Sequence, residues 1–251
     1  MTRTVVISGG GTGIGLATAH RFAADGDQVL LVGRRARVVR EAAERVPGAH
    51  AVAADLATAE GAEQVAQLVK AEYGAVDVLV HGAGGNGLLE PDAAVGGSGP
   101  VADAAHHWTA NFRLNVLTAV LLTEALRHRL ASPGGRVLFL SSIAAYRGSG
   151  STAYAASKAA LHPYAFDLAR QLGRHGITVN LVAPGYVEGT GFFGPEGMPS
   201  ERREELAAET FTGRIGTPGD VAETLYWLAS HAAGHLTGQC VQVNGGAQLG
   251  R

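Results

Sequence analysis

The sequence predicts a doubly wound α/β fold, in which helices cover both faces of a parallel sheet. Short apolar segments alternate with longer helical patterns along all 251 residues, and strands that are separated by helices form parallel sheets. A glycine-rich turn joins the first apolar segment to the first helical one, as in dinucleotide-binding βαβ units. Since no linker or repeat interrupts this pattern, we expect one domain over residues 1–251.

The predicted elements follow one another at regular intervals. Apolar runs predict strands over residues 4–8, 28–32, 50–54, 76–80, 136–140, 177–182 and 239–243. Longer segments with helical periodicity predict helices over residues 16–24, 38–46, 60–73, 106–130, 153–172 and 218–230. A Gly/Pro-rich loop is expected at roughly 85–103. Pro163 should kink or loosen the predicted helix near residues 159–163, because proline removes a backbone N–H.

The composition narrows the class of protein. A net charge of −2, from 20 basic and 22 acidic residues, does not predict nucleic acid as a partner. Charged residues make up 17% of the chain, below the ~25% of average soluble domains, which favours buried contacts in a homo-tetramer or homo-dimer. The single Cys240 excludes an internal disulfide and a cysteine-based metal cluster, and we expect no metal. With no long apolar span and no signal peptide, we expect a cytoplasmic protein that does not enter a membrane.

The turn after the first strand carries Gly9, Gly13 and Gly15, and the first predicted helix, residues 16–24, starts directly after them. Glycine lets the backbone come close to a pyrophosphate, and a helix N-terminus offers free N–H groups to it. The spacing Gly-x-x-x-Gly-x-Gly differs from the common Gly-x-Gly-x-x-Gly pattern. Its place between a strand and a helix nevertheless predicts a dinucleotide site.

Tyr154 and Lys158 are the main candidates for catalysis. They are four positions apart, so a helix would place them on one face. A free phenol has a pKa of roughly 10, and a neighbouring cation should lower that pKa toward the working range. Ser141 and Ser142 end an apolar strand a few residues upstream. The sequence therefore brings a serine, a tyrosine and a lysine toward one edge of the sheet.

These motifs together resemble the single-domain, Rossmann-type short-chain dehydrogenase/reductase (SDR) family. The similarity runs from about residue 4 to residue 246, and its parts fall in the family's order along the chain. They are Gly9, Gly13, Ile14 and Gly15, then Asp55-Leu56, Ala83-Gly84, Asn115, Ser141-Ser142, Tyr154 with Lys158, Pro184-Gly185, and residues 238–246. The resemblance implies a seven-stranded sheet with a nicotinamide cofactor at the carboxyl ends of the strands.

The resemblance also implies a catalytic group of Asn115, Ser142, Tyr154 and Lys158. Tyr154 would donate a proton to the carbonyl oxygen of the substrate, and Ser142 would hydrogen-bond the same oxygen. Lys158 would hold the nicotinamide ribose, and Asn115 would position a water next to it. Asn111 is the alternative to Asn115. Only one of Ser141 and Ser142 should reach the oxygen, because neighbouring strand residues point to opposite faces. Ser142 is favoured, with Ser141 in a structural hydrogen bond, because shortening a Gly-rich loop costs less than reversing the register of a buried strand.

Further residues are implied to bind the cofactor. Asp55 would bind the adenine amino group, while Val187 and Thr190 would face the carboxamide, although Gly189 adds a residue between them. The full set comprises Gly9, Thr12, Gly13, Ile14, Gly15, Arg34, Arg35, Asp55, Leu56, Ala83, Gly84, Tyr154, Lys158, Pro184, Gly185, Val187 and Thr190.

The end of the second strand favours NADP(H), with NAD(H) possible. A carboxylate at the position of Gly33 would bind both ribose hydroxyls and repel a 2′-phosphate, but the sequence has none there. Arg34 and Arg35 follow, and a guanidinium pairs well with a phosphate. The alternative is that these arginines form a solvated loop. Thr12 stands where many NADP-preferring relatives carry a basic residue.

The expected function is NADP(H)-dependent oxidoreduction of a small or carrier-bound carbonyl, as in 3-oxoacyl reductases or ketoreductases. Residues 189–213 would form the substrate lid, with Phe192, Phe193 and Met198 as apolar contacts. Two alternatives stay open: a catalytically silent nucleotide-sensing protein, and a dehydratase or epimerase on the same scaffold. His81-Gly82 replaces the family's usual Asn-Asn, and we expect His81 to be structural and to replace one bond of the first Asn.

Overall fold

A single parallel sheet forms the centre of the computed structural model, which describes residues 2–87, 99–194 and 197–250. Its seven strands are ordered β3-β2-β1-β4-β5-β6-β7, and every neighbouring pair is parallel. The strands are β1 (Thr4–Ser8), β2 (Gln28–Gly33), β3 (His50–Ala53), β4 (Val78–His81), β5 (Arg136–Leu140), β6 (Thr178–Pro184) and β7 (Cys240–Val243). The predicted α/β fold with seven parallel strands is confirmed.

Helices connect the strands on both faces of the sheet. They are α1 (Gly13–Ala24), α2 (Ala36–Arg45), α3 (Ala59–Glu72), α4 (Pro100–Phe112), α5 (Thr118–Leu126), α6 (Ala144–Arg147), α7 (Thr152–Leu172), α8 (Ser200–Ala208) and α9 (Pro218–Leu228). A π-helical turn, Arg113–Leu117, joins α4 to α5. Among residues 2–87, 99–194 and 197–250, no helix is both long and apolar enough to cross a membrane.

The apolar strands are explained by a hydrophobic core on each face of the sheet. In β5, Val137 and Phe139 enter one core, while Leu138 and Leu140 enter the other. Neighbouring strand residues point to opposite faces, so a strand covered on both sides has to be apolar throughout. This burial anchors the carboxyl ends of the strands, where the functional residues lie.

The order in which the chain adds strands reverses at β1. This strand pairs with β2 on one side and with β4 on the other. The connection after β1 therefore leads toward the β3 edge of the sheet, and the connection after β4 leads toward the β7 edge. A crevice opens at such a switch point, and it is the usual ligand site of open α/β sheets. The glycine-rich turn after β1 and the Gly82–Gly87 segment after β4 border it.

Two departures from the predicted elements concern helices. The helix predicted over 106–130 begins at Pro100 and is divided by the π-helical turn. Two further helices, α6 and α8, lie where no helix was predicted. Pro163 lies inside α7, as predicted. Residues 88–98 of the predicted Gly/Pro-rich loop lie outside the described residues.

Candidate active site

The glycine-rich turn packs backbone against backbone. Gly9 has a φ of 68°, and a Cβ on it would lie 2.6 Å from the carbonyl carbon of Gly82. A Cβ on Gly15 would lie 2.3 Å from the carbonyl oxygen of Gly9. Within the described residues, no side chain caps the first turn of α1 after Thr12. Its N–H groups can therefore receive an anion, and the turn fits the pyrophosphate of a dinucleotide.

Ser8 holds the two sides of the crevice together, a role that the sequence analysis missed. Its Oγ accepts a hydrogen bond from the Ala83 N–H at 3.1 Å and donates one to the Val80 carbonyl at 3.4 Å. The only sequence signal was a polar residue at the end of an otherwise apolar strand. Ser8 fixes Ala83 beside the glycine-rich turn.

Tyr154 and Lys158 lie on the first two turns of α7, and both side chains are buried. The Lys158 Nζ donates a hydrogen bond to the Leu140 carbonyl at 2.9 Å and lies 6.0 Å from the centre of the Tyr154 ring. The Ser142 hydroxyl is close enough to the Tyr154 hydroxyl to act on its pKa, and the Ser142 Oγ accepts a hydrogen bond from the Ala144 N–H at 3.1 Å. The end of β5 and the start of α7 thus bring three of the predicted catalytic residues together.

Burial dominates the pKa of both titratable groups in this cluster. It raises the pKa of Tyr154 to about 12, although the hydrogen bond from Ser142 acts in the opposite direction. Burial also lowers the pKa of Lys158 to about 8. The expectation that the neighbouring cation would bring the phenol pKa toward neutrality is therefore wrong for this structure. A neutral phenol is, however, the form that can donate a proton.

Asn115 lies on the π-helical turn, and its side chain is fully buried. Its Oδ1 accepts a hydrogen bond from the Gly85 N–H at 2.9 Å, and its Nδ2 donates to the Gly85 carbonyl at 2.9 Å and to Ser157 Oγ at 3.1 Å. Gly84 fits between Asn115 and Lys158, since a Cβ there would lie 2.7 Å from Oδ1 and 2.8 Å from Nζ. Asn115 therefore fixes the loop after β4 against Lys158.

Asn111, the alternative to Asn115, has a separate role one turn earlier. Its Oδ1 accepts a hydrogen bond from the Gly87 N–H at 3.1 Å, and its Nδ2 donates to the His107 carbonyl at 2.9 Å. Both asparagines hold the segment after β4, but only Asn115 lies next to Lys158 through Gly84.

Ser141 points away from Tyr154. Its Oγ lies 2.7 Å from His162 Nε2 and donates a hydrogen bond to the Lys158 carbonyl at 3.3 Å. Ser142, by contrast, reaches the Tyr154 hydroxyl. This is the arrangement expected for neighbouring residues of a strand.

His81 is buried on the side of the sheet that α5 and α7 cover. Its ring stacks on Phe139 with centres 4.5 Å apart, and its Nε2 lies 2.8 Å from Thr123 Oγ1. Since the Thr123 hydroxyl donates to the Ala119 carbonyl, the histidine Nε2–H is the donor in this pair. Its Nδ1 has no hydrogen-bond partner within the described part of the chain. These contacts are structural.

The predicted adenosine-side residues lie along the carboxyl ends of β2 and β3. Arg34 and Arg35 are exposed at the start of α2, next to Gly33. Asp55 accepts a hydrogen bond from the Ala57 N–H at 3.0 Å and lies 3.4 Å from Arg113. Exposed guanidinium groups beside a position without a carboxylate fit an adenosine 2′-phosphate.

The predicted nicotinamide-side residues follow β6. Pro184 ends this strand, and Gly185 packs on Asn244. Val187 is buried and pairs with Gly216, while Thr190 Oγ1 donates a hydrogen bond to the Val187 carbonyl at 3.3 Å. A Cβ on Gly13 would lie 3.2 Å from the Thr190 methyl group, so this segment approaches the glycine-rich turn.

The predicted lid covers the candidate catalytic tyrosine. The Phe192 ring lies 5.2 Å from the Tyr154 ring, with the planes inclined by 58°. Arg203 on α8 forms an ion pair with Glu188 at 2.5 Å. A cavity of about 200 Å³ lies next to this ion pair. It is lined by Tyr186, Val187, Glu188, Gly189, Thr190, Gly197, Met198, Arg203 and Ile215. The side chain of Phe193 lies outside the described part of the structure.

Known proteins resemble this chain over nearly its whole length. A family model described as enoyl-(acyl carrier protein) reductase matches residues 9–248. The short-chain reductase protein NovJ of Streptomyces niveus is 35% identical over 251 residues, which cover 96% of this chain and 92% of NovJ. The chain belongs to the short-chain dehydrogenase/reductase family. The family resemblance predicted from the sequence motifs is thereby confirmed.

Two further relatives support the SDR assignment. The 3-oxoacyl-[acyl-carrier-protein] reductase MabA of Mycobacterium tuberculosis (strain ATCC 25618 / H37Rv) is 30% identical over 253 residues, which cover 100% of this chain and 94% of MabA. A crystal structure of a short-chain dehydrogenase/reductase described as glucose/ribitol dehydrogenase from Brucella melitensis has a TM-score of 0.85 at 28% identity, covering 99% of this chain and 97% of that one. This SDR chain is an NAD(P)-dependent oxidoreductase.

Proposed function

We propose that this SDR enzyme is an NADP(H)-dependent reductase that converts a ketone or a 3-oxoacyl thioester to the secondary alcohol. The observation that carries the proposal is the buried cluster in which Ser142 acts on the neutral Tyr154 hydroxyl and Lys158 Nζ lies 6.0 Å from the centre of the Tyr154 ring. Similarity to MabA, whose name gives a 3-oxoacyl-[acyl-carrier-protein] substrate, supports the choice of carbonyl. The physiological substrate is either small or attached to a carrier.

A bound nicotinamide cofactor supplies the hydride in this reaction. Tyr154 donates its proton to the carbonyl oxygen as negative charge develops there, and Ser142 donates a hydrogen bond to the same oxygen. With a pKa near 8, the Lys158 amine is mostly charged at neutral pH. It stabilises the phenolate that forms when Tyr154 loses its proton. Asn115 holds Gly84 and Gly85 in place beside Lys158.

The NADP(H) preference rests on the end of β2. Gly33 has no carboxylate to repel a 2′-phosphate, and the exposed Arg34 and Arg35 lie next to it at the start of α2. A guanidinium can form two parallel hydrogen bonds with a phosphate. The glycine-rich turn and the N-terminus of α1 would bind the pyrophosphate.

Replacing Tyr154 with Phe tests the proposal. The variant should lose turnover by far more than tenfold while it folds and binds NADPH, because only the proton donor is removed and the ring keeps its packing. Turnover is measured as oxidation of NADPH with acetoacetyl-CoA and a panel of small ketones. Activity within about tenfold of the wild type, or ~1.4 kcal/mol of barrier, would exclude Tyr154 as the acid.

The same assay separates the two alternatives. A nucleotide-sensing protein would bind NADPH without oxidising it in the presence of any ketone. A dehydratase or epimerase would convert a hydroxy substrate without net change of the nicotinamide, and analysis of the products would reveal it.

A further inference from the structure

A serine–histidine pair lies directly behind the proposed catalytic serine. Ser141 Oγ is 2.7 Å from His162 Nε2, and Ser141 is almost completely buried. The buried serine is not accessible to a substrate, so the pair is not a nucleophile and its base. It does, however, connect the residue next to Ser142 with the helix that carries Tyr154 and Lys158.

Ser141 contacts α7 at two places. Its Oγ lies 2.7 Å from His162 Nε2 and 3.3 Å from the Lys158 carbonyl oxygen. These contacts form a continuous link that runs from His162 through Ser141 to the backbone of Lys158.

His162 also contacts the chain on the other side of Ser142. Its ring lies 5.2 Å from the ring of Tyr146, on the helix α6 that follows Ser142 and Ile143. Tyr146 in turn lies close enough to Cys240 on β7 for the thiol to act on its pKa. A single side chain of α7 thus holds both flanks of the short segment that presents the Ser142 hydroxyl.

We propose that His162 is a positioning residue, which keeps the Ser142 hydroxyl beside the Tyr154 hydroxyl by holding Ser141 and Tyr146. The inference rests on the proposed function of Ser142 and Tyr154. It assigns His162 no contact with the substrate or the cofactor. Small displacements of a group that must touch the reacting oxygen reduce the rate strongly, by about 100-fold for a shift of ~1 Å.

The first test compares His162→Leu with His162→Gln. Leucine fills similar space without a donor, whereas the glutamine amide can still donate to Ser141. We expect His162→Leu to reduce kcat for the best substrate of the ketone panel by about 10- to 100-fold, with the dissociation constant for NADPH unchanged. His162→Gln should stay within about threefold of the wild type.

A matched control is Tyr164→Phe on the same helix. It removes a hydrogen bond between α7 and Glu124 on α5 but touches neither flank of Ser142. It should change the melting temperature without changing kcat. Equal kcat values for the wild type, His162→Leu and His162→Gln, with only the melting temperature altered, would overturn the proposal. If His162→Leu does not fold, Ser141→Ala breaks the same link from the other side and should give the same loss of kcat.

Crystal structures of the two His162 variants distinguish failure of this inference from failure of the proposed function. If the wild type reduces no carbonyl substrate, the proposed function is wrong, but the position of Ser142 can still be measured. The inference holds if Ser142 Oγ moves away from the Tyr154 hydroxyl in His162→Leu and keeps its wild-type position in His162→Gln. It is overturned if Ser142 stays in place in both.

Discussion

His81 couples the stability of the fold to acid. Burial lowers its pKa to about 3, whereas an unfolded histidine titrates near 6.5. As the pH falls below about 6.5, the unfolded chain takes up a proton that the folded one does not. The free energy of unfolding therefore decreases, by about 2 kcal/mol at pH 5.

Replacing His81 with Asn should remove this part of the pH dependence. The measurement is the free energy of unfolding by urea between pH 5 and pH 8. The slope of this free energy against pH is compared between the variant and the wild type. His128→Asn, which changes an exposed histidine, is the control and should leave the slope as it is. An unchanged slope in His81→Asn would show that His81 is accessible to protons in the folded state.

Arg34 is the residue on which the cofactor preference should depend. Arg34→Ala should raise the KM for NADPH far more than the KM for NADH, because only NADPH carries the 2′-phosphate. Arg37→Ala is the matched control, since Arg37 is 85% exposed and pairs with Glu41 at 3.7 Å. Steady-state kinetics with both cofactors measure the effect, and equal changes in the two KM values would contradict the phosphate role.

At the scale of single residues, residue type and spacing were enough to predict the candidate catalytic residues, but not the surroundings of their side chains. The four-residue interval placed Tyr154 and Lys158 on one helix face, as the structure shows. Their pKa values depend on burial by distant segments such as the lid and β5, which no local pattern reveals. Ser8 was missed for the same reason, because its partners, Val80 and Ala83, are more than 70 positions away.

The lid is the element that should determine which carbonyl compounds enter. Phe192→Ala removes the ring that lies over Tyr154 and should raise the KM for the carbonyl substrate at least several-fold. Cofactor binding should not change, because Phe192 belongs to the proposed lid and not to the proposed cofactor-binding residues. Phe211→Ala is the control, since Phe211 is 79% exposed and lies beyond α8. The prediction fails if the substrate KM is the same in the wild type and Phe192→Ala.

Elements with a strong apolar pattern were predicted, and weakly patterned ones were not. The five central strands, β1, β2, β4, β5 and β6, are largely apolar because both faces of the sheet are covered there, so their positions could be predicted from the sequence. Helix α8 has the charged sequence Ser200–Ala208, and Leu206 is its only buried residue. Without an apolar stripe, such a segment cannot be distinguished from a polar loop. The start of α4 could have been found from Pro100, since proline favours the first turn of a helix.

The whole molecule leaves large apolar side chains at its surface. Among the described residues, exposed examples are Val101, Trp108, Leu117, Phe166, Phe211, Trp227 and Leu249. Together with a charged content of 17%, they favour association of subunits. Sedimentation at micromolar concentration should give the mass of a tetramer, or at least of a dimer. A mass near one 25.7 kDa chain would contradict this prediction.

The π-helical turn between α4 and α5 makes the length of this segment as important as its composition. A regular α-helix advances by about 100° for each residue, and a π-turn accommodates an additional residue. Deleting Arg113 or Leu114 from the turn Arg113–Leu117 would allow one uninterrupted helix, but it would rotate Asn111 and Asn115 relative to each other. Only one of them could then keep its hydrogen bond to the segment after β4. A variant that is shorter by one residue here should therefore lose more of the order in the segment after β4 than a variant in which a single residue is exchanged.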